Sequence, residues 1–369
     1  MRRTMAWMFV GLAAAMAPRV GSAQDASAAI IGEPPPFSGA HSTEWIDRGG
    51  AMAGTAIAAP GVADSTRNYI GLDLLYLKQD SAEDKIPLFE LISNGVSADQ
   101  YRLGATNTNF MPGFRWVLGR HASESTSFEV GGMYVHPFFY KRTYDSITTT
   151  GGSFGGPVTN QTVFLPNPTN LQHTHVSHRV GHYGFEGNAK LCLLANDRLT
   201  VDGIAGLRFH RIFERMFIDV QRRADGPTAN ESFHSGNCLF GPQIGARAQW
   251  QLVEYLALRG DFRYMFGWNW QSLDIGGPES GGFFTGPTNI GSFEKTRFGD
   301  ILDFGVHAVA QLTPNIDFTI GFTALYFGTV QRSPNSVQPL FVGLAEPVAE
   351  MPDDSLWLYG VQAGITIQY

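Results

Sequence analysis

The chain has 369 residues, of which 43% are hydrophobic and 16% charged, with 26 basic and 33 acidic side chains and a formal net charge of −7. That balance points away from nucleic acid as a partner, and no stretch reaches the roughly 18 consecutive apolar residues of a membrane-spanning helix. Glycine is abundant at 43 and aromatics reach 12%, while charge falls below the ~25% of soluble domains, a composition that suits a barrel wall.

Arg2 and Arg3, an apolar run from Met5 to Met16, and then Gly21, Ser22 and Ala23 read as a secretory signal peptide over residues 1–23. Its removal takes Arg2, Arg3 and Arg19 with it and leaves 23 basic residues against 33 acidic, a net charge of −10. Residues 24–67 are rich in Ala, Gly, Ser and Pro without a sustained period, and read as a flexible periplasmic leader, with a plug in the lumen as the alternative. The span 68–369 carries a repeated period-two pattern, which is the signature of strands.

The first run places Ile70, Leu72, Leu74 and Tyr76 on one face and Gly71 and Asp73 on the other. Phe114, Trp116 and Leu118 then oppose Arg115 and Val117, and Phe128, Val130 and Tyr134 oppose Glu129. A fourth run sets Tyr183, Phe185, Ala189 and Leu191 against His182, Glu186, Asn188 and Lys190. After the polar turn Ala195-Asn196-Asp197, Leu199, Val201, Ala205, Leu207 and Phe209 alternate with Thr200, Asp202, Ile204, Arg208 and His210.

Ile244, Ala246, Ala248, Trp250 and Leu252 oppose Gln243, Arg247, Gln249 and Gln251. Leu256, Leu258, Phe262, Tyr264, Phe266 and Trp268 oppose Arg259, Asp261 and Arg263. Leu302, Phe304, Val306, Ala308 and Ala310 oppose Asp303, His307 and Gln311, and Phe318, Ile320, Phe322 and Tyr326 oppose Asp317, Thr319 and Thr323. The last run, Val361, Ala363, Ile365, Ile367 and Tyr369, ends on an aromatic residue.

Ten such strands are long enough for a tilted membrane crossing of ~9 to 11 residues. Connections alternate between short ones, at 119–126, 193–198, 253–254 and 313–315, and long ones, at 79–108, 140–174, 214–237, 271–296 and 329–354. Short periplasmic turns and long outer loops are the pattern of outer-membrane barrels. In hydrocarbon every backbone N–H and C=O must be paired, so lipid-facing strands close without an edge. The expectation is an all-β, antiparallel, up-and-down transmembrane barrel of about ten strands in the outer membrane of a Gram-negative-type bacterium. Its terminal strand pairs with residues 68–78 and carries the signal read by barrel-insertion machinery.

The stretch Asp303 to Tyr326 holds Phe304-Gly305-Val306, Gln311-Leu312-Thr313-Pro314, Gly321-Phe322 and Leu325-Tyr326, and Arg332-Ser333-Pro334 follows. With Asp202, Ala205-Gly206-Leu207-Arg208-Phe209 and Trp357 to Tyr369, it resembles the Blastopirellula-type outer-membrane β-barrel proteins of planctomycetes. The resemblance implies an outer-membrane location and brings no catalytic residue.

The inward parity collects Asp73, Glu129, Glu186, Asp202, Asp261 and Asp303 with Arg115, Lys190, Arg208, Arg247, Arg259 and Arg263, six of each sign. In so narrow a barrel these groups are expected to pair across the lumen and fill it. The alternative is that they line a narrow path for ions or small solutes. His173 and His175 fall on one parity and His178 and His182 on the other, so one straight strand does not gather them around a metal. His136, His210, Glu214 and His234 lie toward the outer end but share no motif, which makes a rim hydrolase the weakest reading.

Cys192 falls at the periplasmic end of the fourth strand and Cys238 at the outer start of the sixth, too far apart for a disulfide, so two unpaired, buried thiols are expected. Asp80, Glu83, Asp84 and Glu90 in the first long loop and Glu346, Glu350, Asp353 and Asp354 in the last are candidates to bind divalent cations or an extracellular partner. The reading is a non-catalytic structural or surface-interaction protein of the envelope, with no cofactor and with membrane lipid as its surroundings. A narrow porin-like channel is the alternative.

Overall fold

In the computed structural model, the described residues are 68–80, 87–93, 96–102, 110–145, 152–155, 173–221, 228–278, 284–337 and 349–369. The expected signal peptide, residues 1–23, and the expected leader, residues 24–67, lie outside them.

The strands in chain order are β1 (Asn68–Gln79), β2 (Pro87–Ser93), β3 (Val96–Arg102), β4 (Met111–His121), β5 (Thr126–Asp145), β6 (Gly152–Gly155), β7 (His173–Ala195), β8 (Leu199–Gln221), β9 (Thr228–Val253), β10 (Leu256–Gly276), β11 (Gly291–Thr313), β12 (Ile316–Gln331) and β13 (Asp353–Gln368). Ten of them form a closed barrel in the order β1-β13-β12-β11-β10-β9-β8-β7-β5-β4, with β4 returning to β1. All barrel pairings are antiparallel, and apart from the closing pair β1–β13 they join consecutive strands of the wall, an up-and-down topology. The closing pair runs from Tyr69↔Gln368 to Gln79↔Leu358, and Asn68 and Tyr369 exchange backbone hydrogen bonds of 3.0 and 2.9 Å.

The alternation places side chains as expected. Ile70, Leu72 and Leu74 on β1 and Val361, Ile365 and Ile367 on β13 are exposed on the outer wall, while Leu75, Leu77 and Gln362 are buried inside. Turn chemistry is local: the Asn196 side chain accepts from the Arg198 and Leu199 amides at 3.0 and 2.9 Å, which closes the β7–β8 hairpin. Two glycines admit bulky neighbours. A Cβ at Gly132 would strike the Trp116 indole, and one at Gly364 would strike the Asp73 carboxylate.

The connections depart from the sequence expectation at the outer end. Of the long loops at 214–237 and 271–296, the structure converts most into strand: β8 runs to Gln221, β9 begins at Thr228, β10 runs to Gly276 and β11 begins at Gly291. β7, β8 and β11 have 23 residues and β9 has 26, against 12 in β1 and 11 in β4, so one side of the wall is tall. The pattern persists past the membrane because these extensions still bury an inner face, which keeps period two without lipid. The loops at 79–108 and 140–174 supply β2, β3 and β6, which pair in the order β3-β2-β6.

Cys238 accordingly sits within β9 instead of at its start, and both cysteines are free and half-buried rather than buried. Asp353 and Asp354 open β13 instead of closing a loop.

Candidate functional site

The inside of the barrel is stacked in layers, and the register sets the height of each. Lowest is a charged layer. Lys190 Nζ lies 2.8 Å from Glu129 Oε1, and the Tyr69 hydroxyl donates to the same oxygen at 2.5 Å. Arg247 Nε donates to Asp261 at 2.6 Å, Arg259 Nε lies 3.2 Å from Asp261, and His307 is 3.4 Å from it. Asp202 is buried in this layer, in register with Arg247 on β9 and Cys192 on β7. Asp73 faces inward beside Gly364.

A second charged group lies just above. Arg208 Nη1 donates to Asp303 Oδ2 at 2.9 Å, with Arg115 at 3.4 Å and Arg263 at 3.8 Å from the same oxygen. Arg263 Nη1 also donates to Glu186 at 2.8 Å, and Gln243 ties Glu186 to Asn188. All twelve charged residues expected on the inward parity are therefore on the lumen side, and the cations and anions are interleaved. A cavity among Arg115, Met133, Glu186, Arg208 and His210 has a volume of about 10 Å³, room for one water.

An apolar belt crosses the lumen above the charges. Leu75, Leu77, Met111, Met133, Val135, Ile212, Leu239, Met265, Ile301, Leu325, Phe327, Leu356 and Leu358 form one buried cluster drawn from nearly every strand. Each such side chain contributes roughly 1.5–3 kcal/mol of burial. His210, on the belt's lower edge, packs its ring 4.7 Å from Phe327. The signal for this belt is present in the sequence, since Leu75 and Leu77 share parity with Asp73, although inward charge alone does not mark it.

Above the belt, the segment after β12 turns into the mouth as a short 3-10 turn, Ser333–Ser336, with Pro at its start. Arg332 is fully buried there, and its Nε donates to Glu214 at 2.6 Å. The Ser333 amide donates to the other Glu214 oxygen at 2.9 Å, and the Ser333 hydroxyl bonds Ser235 at 2.9 Å. Asn237 donates to the Gln331 carbonyl at 2.8 Å and accepts from its amide at 2.7 Å. His182 bonds Gln79 at 2.9 Å. Glu214 lies beyond Arg211 and beside Arg215, outward-facing charges that place it outside the membrane. Burial alone would raise its carboxyl, but the Arg332 guanidinium, His178 and the Ser333 amide outweigh burial and hold it down to about 2.

A final apolar layer of Val176, Met216, Ile218, Phe233, Leu273 and Ile275 takes in Phe284 and Val337 from the loops. Glu231 anchors that cover by accepting from the Phe284 and Thr285 amides at 2.8 and 3.0 Å.

The other singled-out residues scatter. His178 and His182 face the lumen, His175 bonds Thr143 on the outer wall, and the side chain of His173 lies outside the described residues. His136 is on the outer wall against Tyr134, His210 is in the lumen, and His234 packs against Phe217 outside. Glu214 is sequestered by Arg332, so these four do not meet. Asp353 pairs with Lys295 at 2.7 Å, Asp354 accepts from Asn335 at 2.9 Å, and Asp80 accepts from the Trp357 amide at 3.0 Å. Glu83, Asp84 and Glu346, and the side chain of Glu90, lie outside the described residues.

The family model described as "Putative beta barrel porin-7 (BBP7)" matches residues 104–369. Among solved structures, the chain is similar to the outer membrane protease OmpT from Escherichia coli at 12% identity and a TM-score of 0.49, covering 84% of this chain and 99% of that one. A major outer membrane protein from Thermus thermophilus matches at 9% identity and a TM-score of 0.29, over 83% of this chain and 100% of that one. A Pseudomonas aeruginosa FadL homologue matches at 8% identity and a TM-score of 0.27, over 83% and 90%. No curated protein matches the sequence.

Proposed function

We propose a closed, non-catalytic envelope role, structural or surface-interacting, for this outer-membrane barrel, which belongs to the beta barrel porin-7 family. The observation that carries the reading is the apolar belt from Leu75 to Leu358 across the lumen. An ion crossing it would shed its water among alkyl and thioether groups that offer no replacement, which is the physical basis of a hydrophobic seal. The interleaved charges below it support the same reading, because each cation is occupied by a carboxylate instead of being free to bind a solute. The scatter of His136, His210, Glu214 and His234 supports a role without catalysis.

The porin description of the family favours a second reading, a narrow channel in which the segment 331–337 moves aside. Planar-bilayer recording of purified, folded protein separates the two. The closed reading expects no steady current, whereas an ohmic conductance that scales with protein would overturn it in favour of the channel. A planctomycete source is part of the same proposal, supported by the segments from Asp202 to Phe209 and from Asp303 to Tyr326.

A further inference from the structure

We propose that the outer wall of β5, β7 and β8, beyond the aromatic level, binds the phosphate groups of an outer-leaflet glycolipid through Lys141, Arg179 and Arg215. The register brings them together: Phe139 on β5 pairs with Arg179 on β7, and Arg179 pairs with Arg215 on β8. A β-bulge between Val135 and Phe138 reverses the parity of β5, so Phe139 and Lys141, which would otherwise enter the lumen, face outward and are exposed. Arg211, on the same face of β8, lies nearer the membrane and reaches the Tyr183 hydroxyl at 3.5 Å.

The height fits a headgroup. A row of aromatic residues, Phe185, Phe209, Phe240, Trp268 and Phe298, runs across five strands, followed by Tyr183 and Trp270 one step outward. Arg179 stands four residues beyond Tyr183 on the same strand, roughly 10 Å along the membrane normal for a strand tilted ~40°. Long basic side chains reach back from there into the headgroup layer. Phe139 and Phe217, exposed among the cations, supply the apolar contact that an amphiphile meets and a free anion does not.

Among the described residues, none of Lys141, Arg179 and Arg215 has a carboxylate within ion-pair distance. Like charges directly opposite each other destabilise a sheet, so the Arg179–Arg215 pair calls for an anion between them. The Arg179 guanidinium is stacked 4.7 Å from the Phe139 ring, and its Nε is buried without a hydrogen-bond partner. Arg forks match phosphate oxygens in pairs. Among the described side chains on this face, the carboxylates Asp219 and Asp274 sit opposite His175 and His234.

The test is native mass spectrometry of the full protein in neutral detergent, titrated with diphosphoryl lipid A or with phosphatidylcholine. Wild type is expected to retain diphosphoryl lipid A and not phosphatidylcholine, with retention falling as salt rises. Lys141→Gln/Arg179→Gln/Arg215→Gln is expected to weaken retention at least about tenfold, while Arg120→Gln/Arg198→Gln at the periplasmic end keeps it. Heat-modifiable gel migration verifies folding; if the triple variant does not fold, the exposed Arg215→Gln alone is expected to lose about threefold. Equal retention of phosphatidylcholine by wild type, or unchanged lipid A retention in the folded triple variant or in Arg215→Gln, would overturn the proposal.

Discussion

Replacing Asp303 by Asn tests whether the lumen is held by charge balance. Asp303 Oδ2 lies 2.9 Å from Arg208, 3.4 Å from Arg115 and 3.8 Å from Arg263. Its cluster contains these three guanidinium groups and two carboxylates, its own and that of Glu186, so the variant leaves three cations facing one anion. At 2.9 Å and an effective dielectric of 20, the lost Coulomb attraction to Arg208 alone is about 6 kcal/mol. Relaxation and water entry reduce that to the roughly 3–5 kcal/mol typical of orphaning a buried charge. Urea unfolding in lipid vesicles, read by tryptophan fluorescence and by gel migration, is expected to show a loss of that size. Adding Arg115→Met returns the cluster to its original net charge and is expected to recover at least about 1 kcal/mol through coupling. An Asp303→Asn stability within about 0.5 kcal/mol of wild type, or an Arg115→Met effect that simply adds to the loss, would refute the reasoning.

Two further outcomes follow from the ends of the barrel. The Glu214 carboxyl is held at about 2, against its ordinary 4.5, so its contribution is present above pH 4.5 and is lost as pH falls toward 2, about 3 kcal/mol in all. Hydrogen exchange or proteolysis is expected to show segment 331–337 protected at neutral pH and released at pH 2, and in Arg332→Ala to show it released already at neutral pH; equal protection of the wild type at both pH values would count against the latch. We propose that the exposed Tyr369 ring is recognised during barrel assembly, so Tyr369→Ala is expected to lower the amount of assembled protein in the outer membrane of an expressing cell. Normal assembly of that variant would make Tyr369 an ordinary girdle residue.

The sequence by itself determined which way the wall residues of unbroken strands point. Period two leaves no choice once one face meets lipid, and it assigned Asp303 and Arg208 inward, Ile365 and Tyr369 outward, and the pairing of the last strand with the first, while the count of about ten strands was made exact by the closed barrel. What it did not determine is height. Inward parity says that Asp303 and Phe327 are both inside, yet one belongs to an ion cluster and the other to the apolar belt above it. That separation follows from how far each strand is shifted against its neighbour when the barrel closes, a property of ten strands together and of none alone. The same holds for Arg332, which reads as a loop residue until the segment after β12 folds back and buries it against Glu214. Lys141 shows the limit from the other side, since a bulge earlier in its strand, and not its own parity, sends it to the outer wall.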